Sequence, residues 1–144
     1  MREAELVGLL RDEGRTVIVL KDKNSFDAVP ILIGEPEFNA IGLAWQGLRF
    51  PRPLTHDLTC ALLEAAGAHL SRVEITELRA GVFYAKVYVA RDGEEPKAVD
   101  ARPSDAVALA LRTKAPVFVG EEVFAQVGVE WNPGRMLLRR EPQV

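Results

Sequence analysis

The first third of the chain alternates short apolar runs with polar punctuation. Ala4 to Leu10, Thr16 to Leu20 and Ala28 to Ile33 are parted by Asp12-Glu13-Gly14 and by Lys21 to Ser25. Runs this short, with the β-branched stretch Thr16-Val17-Ile18-Val19 and turn-forming separators, predict three strands in a meander. The period then changes. Gly34-Glu35-Pro36-Glu37 places a proline near the first helical position and acids near the positive end of a helix dipole. Phe38, Ile41 and Trp45 follow at the spacing of one helix face. Two prolines between Gly47 and Pro53 remove backbone donors, so this stretch is predicted as a loop holding Arg49 and Arg52.

Thr55 is a suitable N-cap for a second helix, in which Leu58, Ala61, Leu62 and Ala65 form an apolar stripe and Gly67 is the stop. Val73 to Leu78 and Val82 to Val89 predict a hairpin across Arg79-Ala80-Gly81, and Lys97 to Ala101 another short strand after the turn at Arg91 to Pro96. Arg102-Pro103-Ser104-Asp105 opens a third helix. Its Ala106, Val107, Leu109, Ala110 and Leu111 leave little polar surface, as expected of a helix buried against a sheet. Pro116 to Val119 reads as a strand and Glu121 to Gln126 as a short helix. The expected class is α+β: a single compact domain with a mixed, largely antiparallel sheet and three to four helices, spanning residues 1–128 and followed by a tail at 129–144.

Composition narrows the function. A length of 144 residues suits one domain, and 48% hydrophobic with 27% charged residues is the balance of a folded globular protein rather than a disordered one. Lys and Arg total 18 against 21 Asp and Glu, a net charge of -3, which argues against broad, sequence-independent coating of nucleic acid. A local basic site remains compatible with it. The single cysteine, Cys60, cannot form an intramolecular disulfide and reads as a small core residue. The charged amino-terminal stretch and the lack of a long apolar segment lead to the expectation of a cytoplasmic protein without a membrane anchor.

Gly-rich phosphate loops, dinucleotide fingerprints, HExxH helices, paired-cysteine zinc sites and Gly-x-Ser-x-Gly elbows are all absent from the sequence. Two polar clusters remain. Arg52-Pro-Leu-Thr-His56-Asp57 puts a histidine able to exchange protons near neutral pH in the first turn of the second helix. Asp100-Ala-Arg102-Pro-Ser104-Asp105 lies at a strand-to-helix junction, where backbone donors and an arginine can meet an anion and carboxylates can act as bases or hold a cation. Each cluster also has a plain structural reading as helix caps and ion pairs. Adjacent residues such as His56 and Asp57 diverge on a helix and do not converge on one site unaided. His69 is read as a surface or packing histidine, and Trp45, Phe83, Tyr84 and Tyr88 as core aromatics rather than base-stacking platforms.

These clusters, with Ile31-Leu-Ile-Gly-Glu-Pro-Glu37, Gly81-Val-Phe-Tyr-Ala85 and Ala108-Leu-Ala-Leu-Arg112, resemble the bifunctional nuclease domain family in order and spacing over roughly residues 4 to 128. The resemblance implies a compact α+β fold and nuclease activity toward DNA and RNA. On that reading Arg102 and Arg52 bind the substrate phosphate and His56 is the general base or acid. Asp57, Asp100 and Asp105 orient it or hold a divalent cation such as magnesium or manganese, and Ser104 assists by hydrogen bonding. The identity of any metal stays open. The single-site mechanism requires both clusters to meet in space. The competing reading, favoured by the acidic balance, is a non-catalytic anion- or partner-binding regulatory module. A third has the motifs build a self-associating interface, giving a homodimer or higher homo-oligomer.

Overall fold

The short apolar runs become strands: β1 (Arg2–Asp12), β2 (Arg15–Asp22) and β3 (Asp27–Ile33) form the expected antiparallel meander. They do so in a computed structural model that describes residues 1–134 and 136–139. Helices α1 (Glu35–Trp45) and α2 (Thr55–Ala65) follow, then the hairpin of β4 (Ala68–Arg79) and β5 (Val82–Arg91), and strand β6 (Lys97–Ala101). Helix α3 (Pro103–Thr113), strand β7 (Val117–Val119), helix α4 (Glu121–Val127) and strands β8 (Val129–Asn132) and β9 (Met136–Arg139) complete the chain. The hairpin turn has Ala80 at φ 50° and Gly81 at φ 78°, the paired positive values that match the twist of the flanking strands.

Among the described residues nine strands join one sheet in the order β6-β5-β4-β7-β1-β2-β3-β8-β9. Of these neighbours β4 and β7 alone run parallel, so the sheet is mixed and largely antiparallel, as the sequence implies. The stretch from 129, expected as a tail, adds β8 beside β3 and β9 beside β8. Its last residues, 140–144, lie outside the described residues.

Strand β2 lies between β1 and β3 with both its faces covered. Ile18 and Leu20 enter the main core while Val19 enters a smaller cluster with Ala28 and Val129 on the other face. Each such side chain contributes roughly 1.5–3 kcal/mol on burial. Trp131 of β8 packs over this second face, where a Cβ on Gly8 would lie 3.0 Å from its ring, so the glycine makes room for the indole. At one end of the sheet Arg2 bonds Asp27 at 2.8 Å, Glu121 at 2.9 Å and Asp22 at 3.3 Å, and stacks on Phe124 of α4. One residue thereby ties β1, β2, β3 and α4 together.

The helices differ sharply in burial. In α3, Pro103, Ser104 and Ala106 to Ala110 are all buried, in the same cluster as Val73, Ile75, Ala85 and Val87 of β4 and β5. Its alanines let α1 and α2 pack against it. In α2 no residue is buried, although Cys60 and the neighbouring elements touch the core. An apolar stripe ordinarily faces a core, yet Leu58, Ala61, Leu62 and Ala65 face solvent. Trp45 is likewise exposed at the end of α1, against its expected place in the core. No helix among the described residues is long and apolar enough to cross a membrane.

Candidate functional site

Helix α2 begins one residue earlier than a Thr55 cap predicts. Leu54 is the N-cap because the Asp57 carboxylate reaches back to accept the Leu54 N–H at 2.9 Å, the acidic half of a capping box. That interaction occupies Asp57 and turns it to one side of the helix. Its other carboxylate oxygen accepts from Arg112 Nε at 2.8 Å, and Arg112 also donates to the carbonyls of Ala108 and Ala40. The backbone bond to Leu54, with Arg112 against the effect of burial, holds the Asp57 carboxyl below the ordinary aspartate range.

His56 points the other way, into α3. Its Nε2 lies 2.9 Å from Asp105 Oδ1. Arg102, the extended N-cap residue of α3, donates from Nε to Asp105 Oδ2 at 2.9 Å and from Nη2 to Glu37 Oε1 at 3.1 Å. Three helices therefore contribute to one row: His56 from α2, Asp105 and Arg102 from α3, and Glu37 from the first turn of α1. The row exists because α3 packs against both other helices, which brings residues 49 positions apart into contact.

The electrostatics follow from the partners. Burial alone would raise the Asp105 carboxyl, but the bonds from Arg102 and His56 outweigh it and hold the group below its usual value. An ionised carboxylate only accepts, so His56 Nε2 carries the hydrogen and a neutral ring keeps its lone pair on Nδ1. Arg102 spends two of its five N–H donors on Asp105 and Glu37. Its side chain is 64% exposed, so the remaining three face outward solvent or a ligand.

The predicted residues divide accordingly. His56, Asp105 and Arg102 meet. Asp57 sits on the same turn but is committed to Leu54 and Arg112. Ser104 is buried at 6% exposure, withdrawn from the surface. Asp100 of β6 pairs in register with Lys86 of β5, whereas Ala101 beside it packs toward the core with the helices. Strand alternation therefore sends Asp100 off the opposite face from His56. Arg52 is exposed in the loop before α2 and enters no ion pair among the described residues. His69 is exposed, as expected of a surface histidine.

Two participants escaped the sequence-level choice. Glu37 reads locally as an acid at a helix dipole, and Arg112 as the polar end of an apolar helix; only the contact of α3 with α1 and α2 reveals Arg102 and Asp57 as their partners. Both lie inside the stretches that carry the family resemblance, and that was the one available signal.

A concavity of about 710 Å³ opens on the Asp57 and Arg112 side, with His56 outside its lining. Loop residues Leu48 to Phe50, Ala61 of α2 and Lys114 after α3 line it. Cys60 lines it too, its thiol pushed up by burial. For a divalent cation the donors do not fit: among the described residues no three His, Cys, Asp or Glu side chains gather to hold one, and Glu37 and Asp105 already accept from Arg102.

Comparison with known proteins adds a family. Residues 18–132 match the model of the bifunctional nuclease domain. An uncharacterised protein of Mycobacterium tuberculosis is 42% identical over 131 residues, covering 90% of this chain and 77% of that protein. Bifunctional nuclease 1 of Oryza sativa subsp. japonica is 30% identical over 125 residues, which is 84% of this chain but 38% of the plant protein. Bifunctional nuclease 2 of Arabidopsis thaliana is 26% identical over 130 residues, 88% of this chain and 40% of its own. The chain thus spans less than half the length of these plant relatives.

Proposed function

Because the chain belongs to the bifunctional nuclease domain family, we propose that it hydrolyses phosphodiester bonds in DNA and RNA at the row formed by His56, Asp105 and Arg102. The observation that carries this reading is the 2.9 Å bond between His56 Nε2 and Asp105 Oδ1, which joins the two polar motifs at one surface point beside an exposed guanidinium. Asp105 fixes the imidazole tautomer and steadies the ring when it gains a proton. His56 Nδ1 takes a proton from the attacking water as its oxygen bonds to phosphorus. The bond from phosphorus to the leaving sugar oxygen breaks, and that oxygen takes up a proton from solvent. Arg102 stabilises the charge that gathers on the non-bridging oxygens, and Glu37 keeps its guanidinium in place. No step is assigned to a cation. The lone, half-buried Cys60 fits a reducing cytoplasm, the compartment we assign to this activity.

A specific observation favours the second reading, a non-catalytic anion- or partner-binding module. Two carboxylates already surround Arg102, so an incoming phosphate must compete with them. The test separates the two. Highly purified protein is assayed on single-stranded DNA and RNA, with magnesium, manganese or chelator, beside a His56→Ala, Asp105→Ala double variant. Cleavage by the parent that the double variant lacks supports the enzyme. Equal cleavage by both, or none by either, removes it.

A further inference from the structure

Among the described residues none buries the outward face of α2. Leu58 and Leu62 are 51% and 61% exposed, and the adjoining Leu48 and Phe50 of the loop are 56% and 55% exposed. We propose that this face is a contact surface between two copies of this chain related by a twofold axis. Leu48 and Phe50 border the same concavity as Ala61 and Glu64 of α2, and exposed apolar side chains grouped in this way mark an interaction surface.

The rim says which partner. Arg49, Arg52 and Lys114 stand on the loop and α3 side, and Glu64 stands exposed on α2 itself. A surface holding both signs complements its own copy turned by half a revolution. Glu64, exposed on the stripe's own helix, disfavours a polyanion there. Ala61, small and central in the stripe, allows two α2 helices to cross closely in antiparallel fashion. Such a crossing sets Leu58 of each copy against Leu62 of the other and brings each Glu64 toward the loop arginines across the axis. His56 points into α3 from the inner side of the same helix, so the proposed nuclease row stays outside the interface.

Sedimentation of the full chain at micromolar concentrations tests this. The expected result is twice the chain's mass, reduced to a single chain by Leu62→Glu, with dimer association weakened about 100-fold or more. Val82→Glu, at an equally exposed position on β5 (53%), leaves the dimer intact. A cysteine at Ala61 in a Cys60→Ser background forms an intermolecular disulfide on mild oxidation, whereas one at Val82 does not; this holds the test open should the charged variants unfold. A parent that stays a single chain at every concentration overturns the proposal, as does a Leu62→Glu protein that still dimerises. So does a monomeric parent whose binding to a single-stranded oligonucleotide is lost in Leu62→Glu, since the face would then belong to nucleic acid.

Discussion

Two arginines in this molecule stand between acids, and they do different things. Arg2 bonds Asp27, Glu121 and Asp22 under the ring of Phe124, joining three strands and a helix at one end of the sheet. Arg102 bonds Glu37 and Asp105 at the surface, where Asp105 also holds His56. The first network contains no group that exchanges protons near neutral pH, and its arginine side chain is 29% exposed. The second has an imidazole, and its arginine side chain is 64% exposed. An ion-pair network is therefore no sign of a site by itself; the difference is made by a proton carrier and by donors left over for a ligand.

The sharpest way to separate the two is His56→Ala. Nuclease rate is expected to fall by roughly 10²–10⁴-fold, the share ordinarily supplied by a positioned acid or base. The melting temperature, read by calorimetry, should fall less than in Arg2→Ala, since Asp105 keeps its bond from Arg102. Arg2→Ala should do the reverse, costing about 1–3 kcal/mol of stability by leaving the nearly buried Asp22 with one partner fewer, while the rate per folded molecule holds. Chemical denaturation gives that figure, and a loss of rate without loss of stability would erase the distinction drawn here.

Arg102→Lys is a finer probe. A lysine keeps the charge but cannot bond Asp105 and Glu37 with one planar fork. A loss of about tenfold in rate is expected, with less than about 1 kcal/mol in stability for a pair this exposed. An unchanged rate would mean that Arg102 serves only as a helix cap.

The smallest expected effect concerns pH. Asp57, Asp105 and Asp22 all titrate below their ordinary value in the folded chain, Asp57 chiefly through the Leu54 N–H. A lowered folded value means stability that is present above the unfolded aspartate pKa of about 3.9 and is lost as pH falls through the folded value. Stability should thus fall on acidification below about pH 4. Asp57→Asn should flatten that fall, as measured by denaturation midpoints across acidic buffers. A steeper fall in the variant would contradict the sign. Both networks share this acid sensitivity, and that is where they cease to differ.

The strands were legible in the sequence because burial on a sheet leaves a local mark. Thr16 to Leu20 reads as a strand and is covered on both faces. Helix starts were legible to within a residue, and the error at Thr55 is instructive: the N–H of Leu54 could be satisfied by an acid three residues on as well as the first turn by a hydroxyl at Thr55. The stripe on α2 and the apolar run on α3 look alike on paper, yet α3 buries seven residues and α2 buries none. Periodicity says that a helix has an apolar face; it does not say what covers that face.

The sequence by itself determined the α+β class, the positions of nearly every element and the two polar stretches that mark the family. Only the tertiary structure decided which of their residues meet. His56 reaches Asp105 and not Asp57, Arg102 reaches back to Glu37, and Asp100 leaves by the other face of the sheet. The reason is physical: element formation rests on spacings of two to four residues, which the chain carries locally. Side-chain convergence depends on how close α3 can approach its neighbours, and its alanines set that distance only once the whole core has formed.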